Sequence, residues 1–186
     1  MTTSQTYDWP DKVLGFWFGE LEAKDWFSKS EALDADIRSR FGSLHNEHST
    51  KAPHQFLASP NEALAAIILF DQLSRNQFRG TPRSFASDQL SLGIARQMVA
   101  KGWDLHITHK RRIFVYLPFE HSENLADQDI CIKLVEALED EQFIRYAHAH
   151  RDVIVRFGRF PHRNAILGRI STPEEDAYLC ESGTGF

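Results

Sequence analysis

Several groups of residues in this 186-residue chain have the types and spacings that chemistry needs. The stretch Phe157–Gly168 sets Arg159, His162 and Arg163 among bulky apolar residues, with Asn164 beside them. Cations in such company must find partners when they are buried. Glu120, Glu123 and Asp127 crowd one short segment around His121, and carboxylates this close repel one another unless cations or a metal reach them. Asp71, Arg75 and Arg79 recur every four residues, which puts them on one helical stripe. Asp71 before Arg75 is the favourable order for an i, i+4 pair, and two arginines one turn apart make a fork for a carboxylate or phosphate. His150 falls on the apolar face of its own helix.

From Val153 to Leu167 the chain carries Arg156, Arg159, His162 and Arg163 and no acid at all. The acidic turn at Glu120–Asp127 and this acid-free basic loop are therefore expected to neutralise each other. Two outcomes follow. The charges either lock the C-terminal third as an ion-pair network, or line a polar cleft. In the cleft reading, Asp71, Arg75, Arg79, Glu120, Arg159, Arg163 and Asn164 hold a small anionic metabolite or a peptide carboxylate. The alternative is a hydrolase-type enzyme in the same cleft, with His121, Glu123, Asp127, His150 and His162 as acid–base candidates. A third reading is a scaffold whose network is purely structural.

Carboxylates with histidine suit Mn, Fe or Zn, but no HExxH-type spacing is present, so no metal site is assigned and no cofactor is indicated. The sequence also lacks G-x-S-x-G, GxGxxG and Walker A patterns. Cys131 and Cys180 have no CxxC spacing and read as two reduced thiols. The basic run Lys110–Arg111–Arg112 after His109 reads as a solvated helix face.

Helices must position these groups. Pro10 opens a first helix, with Val13, Leu14, Trp17 and Phe18 inward and Gly19 closing it. Trp26 and Phe27 fall in a connector, and Ser30 caps a helix with Leu33, Ile37, Phe41 and Leu44 inward. Asn46–Pro53 reads as a polar loop. Ser59-Pro60-Asn61-Glu62 is a capping box that starts a helix apolar nearly all round from Ala63 to Phe70, the pattern of a central, covered helix. Another helix runs from Phe85 to Lys101 and stops at Gly102. Thr108 caps the next, which Pro118 is expected to break. Ser122 caps a helix with Ala126, Ile130, Leu134 and Leu138 inward. Phe143, Ala147, His150, Ile154 and Phe157 mark a long helix ending at Gly158, and Thr172-Pro173-Glu174-Glu175 is a second capping box. No period-2 run is present and the links are short, so the fold is expected to be all-α, built of antiparallel helical hairpins, with residues 1–186 forming one domain.

With 42% hydrophobic and 25% charged residues the composition is that of a globular protein, and the formal net charge of −5 argues against nucleic acid or an anionic membrane surface as partner. The opening Met1–Gln5 is polar and the longest apolar run, Ala63–Phe70, is too short to span a bilayer. The chain is expected to be soluble and cytoplasmic.

Four blocks carry a family resemblance. They are Val13–Gly19, Asp71–Thr81 with its Asp-Gln, Arg-Asn and Arg-Gly-Thr pairs, Tyr116–Glu123, and Phe157–Asn164. The chain resembles the bacterial domain-of-unknown-function family 924 from about residue 11 to 180. Leu73–Ser74 departs from it, standing where an apolar residue and Pro are expected. The resemblance implies an all-α fold akin to tetratricopeptide-repeat superhelices. It implies no activity, cofactor or catalytic residue.

Overall fold

The computed structural model describes residues 8–181; the opening stretch Met1–Gln5 lies outside them. Every regular element among the described residues is helical, as the periodicity predicts. Helix α1 (Trp9–Gly15) starts with Asp8 as its cap, and it runs on past the expected stop at Gly19 as a π-helical turn, Phe16–Glu20. A short α2 (Ala23–Trp26) occupies the expected connector. Helix α3 (Glu31–His48) is capped by Ser30. It extends into the segment expected to be loop, because His45 and His48 are buried against aromatic rings and carry the inward face three residues further.

Helix α4 (Pro60–Ile67) is capped by the Ser59 hydroxyl, which accepts the Glu62 amide at 3.1 Å. Ala63–Phe70 is fully buried, as an apolar circumference requires. The ladder then widens into a π-helical turn, Ile68–Gln72, and resumes as α5 (Leu73–Gln77). A π turn inserts one extra residue per closure and frequently marks a functional site. Here it re-aims Asp71 and Gln72 while both stay buried.

Around this axis pack α3, α6 (Asp88–Ala100) and α7 (His109–Glu120), followed by α8 (Leu125–Glu136) and α9 (Glu141–Phe157). Consecutive helices α6 to α9 contact one another across short links, as hairpins do. Phe114 on α7 is an aromatic hub, its ring centroid 5.1 Å from Trp26 and 5.8 Å from Trp17. A smaller apolar cluster of Val153, Ile154 and Phe160, flanked by Phe157 and Tyr178, anchors the chain beyond α9. There lie α10 (Asn164–Leu167) and α11 (Pro173–Leu179), the latter opened by the Thr172–Glu175 capping box.

Two expectations fail locally. Pro118 lies inside α7 instead of ending it, because only two helical residues follow and the His121 amide still reaches the Leu117 carbonyl at 2.9 Å. Glu120 is thereby helical and His121 caps the helix. In α8 the inward face is Asp127, Gln128, Cys131 and Val135, one position round from the predicted Ala126, Ile130 and Leu134, and Ile130 is exposed; Leu138, just past the helix, is buried as predicted. The cap is Asn124, accepting the Ala126 amide at 2.9 Å, and not Ser122. The Gln128 amide closes the end of α7 by donating to the Glu120 and Ser122 carbonyls at 2.7 Å each, and this pins the rotation of α8.

Candidate functional site

The π turn, the start of α6, the end of α7 and the loop after α9 bring six polar side chains together. Asp71 is completely buried. Its Oδ1 accepts the His121 Nδ1–H at 2.8 Å and an Arg75 N–H at 3.3 Å, and its Oδ2 accepts the Gln72 amide at 2.6 Å. Arg75 also donates to Asp88 at 3.1 Å, and Asp88 accepts from Arg163 at 3.3 Å. Arg163 is 6% exposed, lies 4.6 Å from the ring centres of both Phe85 and Phe160, and donates to the His121 carbonyl at 3.0 Å. The Nε atoms of Arg75 and Arg163 are buried without a hydrogen-bond partner, so each guanidinium keeps donor capacity in reserve.

His121, Arg163 and Asp88 face a cavity of about 270 Å³, walled further by Phe85, Pro118 and Leu167. Nδ1 of His121 is committed to Asp71, and no hydrogen bond is made by its Nε2 among the described residues. A carboxylate on one nitrogen fixes the tautomer and orients the ring, which is the arrangement a histidine base requires.

The charges within the cluster balance. Burial would raise the Asp71 carboxyl, but His121 and Arg75 beside it outweigh burial and hold it below the ordinary range. Burial pushes His121 down, and Arg75 adds to this. Burial also carries Arg163 down to about 10, still a cation at neutral pH. Asp71 and Asp88 therefore compensate Arg75 and Arg163, and His121 can remain a neutral base.

Behind this pair stands a second one. Glu120 Oε1 is 3.4 Å from Nδ1 of His150, and the His121 and His150 rings are 6.4 Å apart, edge to face. Burial lowers His150 to about 3, and burial, followed by the Arg163 charge, lowers His162 to about 4. His162 packs beside Phe160, at 5.6 Å between ring centres.

The remaining candidates are held elsewhere, and the expected pairing of acidic turn with basic loop is largely rewired. Arg79 reaches Asp34 on α3 at 2.5 and 2.9 Å. Arg159 binds Glu175 of α11 at 2.6 and 2.7 Å, not Glu120, Glu123 or Asp127. Asp127 pairs with Arg96 and accepts the Ser122 hydroxyl at 2.7 Å. Glu123 accepts the Phe160 amide at 2.8 Å and is clasped by Arg169 at 2.8 and 3.0 Å. Asn164 ties Arg169 to Ser171 and Glu175. Among the described residues the two segments are joined by the Phe160 amide donating to Glu123 and by Arg163 donating to the His121 carbonyl, while the cation that answers Glu123 is Arg169, beyond the acid-free stretch. Asp88, Gln72 and Arg169 were not singled out from the sequence. Asp88 reads there as an ordinary first-turn acid of α6, and its partner Arg163 is 75 positions away.

No group of three or more His, Cys, Asp or Glu among the described residues is placed to hold a metal ion. Cys131 is buried and its thiol pushed up by burial, so it is no ready nucleophile. No helix among the described residues is long and apolar enough to cross a membrane.

These features define an all-helical protein with an Asp–His pair, its carboxylate fully buried and its imidazole partly exposed, at the wall of a small cavity. The family described as bacterial protein of unknown function, DUF924, matches residues 13–183, and the chain belongs to that family. A solved structure of a protein of unknown function from Agrobacterium tumefaciens is similar over 93% of this chain and 97% of its own, at 36% identity and a TM-score of 0.88. A comparison with curated proteins finds no match.

Proposed function

We propose that the protein acts on a small acidic molecule in the cavity beside His121, with His121 as the general acid–base group and Arg163 as the anchor for a carboxylate or phosphate. One observation carries the reading: His121 lines the cavity while Asp71 holds its Nδ1 at 2.8 Å. An ionised, buried orienting carboxylate with a neutral imidazole is the equipment for taking a proton from water or substrate near neutral pH. Ser122 is the one hydroxyl among the described residues lining the cavity, and it donates to Asp127, a carboxylate already paired with Arg96, and not to His121. Water or a group of the substrate is then the attacking species, which fits a hydrolytic reaction. A volume of about 270 Å³ suits a metabolite better than a peptide. Of the four arginines expected from the sequence to clamp a ligand, Arg163 is the one that lines the cavity; Arg75 is tied to Asp71 and Asp88, Arg79 to Asp34 and Arg159 to Glu175.

A purely structural network is the second reading, favoured by the closed charge balance among Asp71, Asp88, Arg75 and Arg163. The two separate in a melting screen of small carboxylic acids and phosphate esters against wild type, His121→Gln and Arg163→Lys. A ligand of this site raises the melting temperature of wild type and loses that effect in Arg163→Lys. Turnover of such a ligand falls roughly 10²- to 10⁴-fold in His121→Gln. An empty screen, or turnover indifferent to His121→Gln, supports the structural reading instead.

A further inference from the structure

Asp88 is held more loosely than the neighbouring carboxylates that answer arginines. Arg159 meets Glu175 at 2.6 and 2.7 Å, and Arg169 meets Glu123 at 2.8 and 3.0 Å. Asp88 has Arg75 at 3.1 Å on one oxygen and Arg163 at 3.3 Å on the other. Both are longer than the roughly 2.7–2.9 Å of a good charge-assisted bond. Each carboxylate oxygen can accept twice, so Asp88 has acceptor sites to spare. Arg163 in turn keeps a buried Nε with no acceptor. Burial raises the Asp88 carboxyl above the ordinary range and Arg75 offsets this only in part, whereas Asp71 stands below it. Of the two carboxylates, Asp88 is the one short of positive charge. Asp88 and Arg163 line the same cavity, together with His121 and Glu123. The rest of that lining is largely apolar, with Phe85, Leu92, Pro118 and Leu167 in it.

We propose that the molecule bound here is a zwitterion with an apolar body, an α-amino acid or a compound that carries one with both charges free, its carboxylate on Arg163 and its ammonium on Asp88. The inference rests on the reading of this cavity as a ligand site anchored by Arg163, and it adds a cation to the acidic group assigned there. Charge accounting favours it. A lone anion that draws Arg163 away leaves Asp88 with Arg75 alone. It also lies in a cavity that Glu123, a second carboxylate, helps to line, and like charges in a desolvated site repel. A zwitterion replaces one long ion pair by two and brings no net charge out of water. In an α-amino acid the two charged groups are bonded to one carbon, a separation that suits protein partners 3.3 Å apart. The side chain is then covered by Phe85, Leu92, Pro118 and Leu167, and a cavity of about 270 Å³ is of the size for one such molecule. Asp88 is thereby a specificity residue, selecting ligands that bear an amine.

The test is calorimetric titration of the full chain, wild type and Asp88→Asn, with leucine and phenylalanine and with their single-charge analogues. Isocaproate and hydrocinnamate lack the amine; isoamylamine and phenethylamine lack the carboxylate. At least one amino acid is expected to bind wild type roughly 10- to 100-fold more tightly than either of its analogues, the worth of a hydrogen bond to a charged group. In Asp88→Asn the preference over the deaminated acid should disappear. A residue that only braces the fold would weaken amino acid and acid alike and leave their ratio unchanged. Equal or tighter binding of the deaminated acid or of the amine, or no binding by any compound of the set, overturns the proposal. Should Asp88→Asn fail to fold, the wild-type comparison alone decides. An acid that binds without need of an amine, and loses its effect in Arg163→Lys, removes the zwitterion and leaves the anion site standing. An empty screen of acids and phosphate esters removes both, so the two failures can be told apart.

Discussion

Asp71 has three side chains depending on it: it fixes the His121 tautomer, accepts from Gln72 and compensates Arg75. Asp71→Asn leaves a buried guanidinium with half its countercharge and an amide that must choose between donating and accepting. Removing one partner of a buried pair costs roughly 3–5 kcal/mol, and urea unfolding of Asp71→Asn is expected to show a loss of that order. Arg159→Ala serves as the contrast. Arg159 is partly exposed, and without it the buried Glu175 still accepts from the Asn164 side chain and the Thr172 amide, so the melting temperature should fall less than in Asp71→Asn. Any ligand response of the His121 cavity should be retained. Equal losses in the two variants would mean that the Asp71 cluster is no more tightly coupled than the half-exposed Arg159–Glu175 pair. Of these residues the sequence makes Asp71, Arg75, His121 and Arg163 visible as charges needing partners. It cannot show Asp88 as the bridge between two arginines, because nothing local distinguishes that aspartate from a helix-start acid.

Helices here are written by local rules and then adjusted where they meet. Ser59, Thr172 and Gly158 sit at helix ends where capping chemistry puts them, Gly158 with a φ of +69° that favours glycine. Ser59→Ala is expected to cost about 1 kcal/mol in thermal unfolding, the usual worth of a serine cap. Two helical glycines give a sharper test. A Cβ on Gly42 of α3 would meet only the Gln77 side chain, at 3.8 Å, so Gly42→Ala should stabilise by roughly 0.5–1 kcal/mol through helix propensity. On Gly93 of α6 the same atom would lie 2.8 Å from the Pro53 ring, and Gly93→Ala should destabilise by roughly 1–3 kcal/mol. Opposite signs in paired melting curves are the expected result. Helix propensity alone predicts the same sign for both. The π turn at Ile68–Gln72 belongs to this scale too. Its residues fit an ordinary helix, and the extra residue is tolerated because packing on all sides holds the widened turn.

For the molecule as a whole, acid is the predicted weakness. His45 is buried between the Phe70 and Phe78 rings, and burial lowers it from 6.5 to about 4; His162 and His150 are lowered to about 4 and about 3. A histidine held neutral in the fold binds fewer protons than the unfolded chain, so its contribution is intact above pH 6.5 and is lost as pH falls through the folded value. For His45 that amounts to roughly 3 kcal/mol at about 1.4 kcal/mol per unit. Stability measured by urea midpoint should therefore begin to fall below pH 6.5, before ordinary carboxylates titrate, and His45→Gln should flatten the slope by about one proton. A pH-independent midpoint from 6.5 to 4.5 would contradict this. Taken by itself, the sequence determined the all-helical class, most helix starts and stops, and the buried axis Ala63–Phe70, because helix periodicity, caps and breakers act over a few residues. It also marked the charged segments that had to be neutralised. Only the tertiary structure decided which charge meets which: Arg159 goes to Glu175, Arg79 to Asp34, Glu123 to Arg169, and Asp71 to His121. Many opposite charges in one chain could satisfy one another at similar cost, and the choice falls to whichever pairs the packing of the helices and of the segment beyond α9 brings within 3 Å.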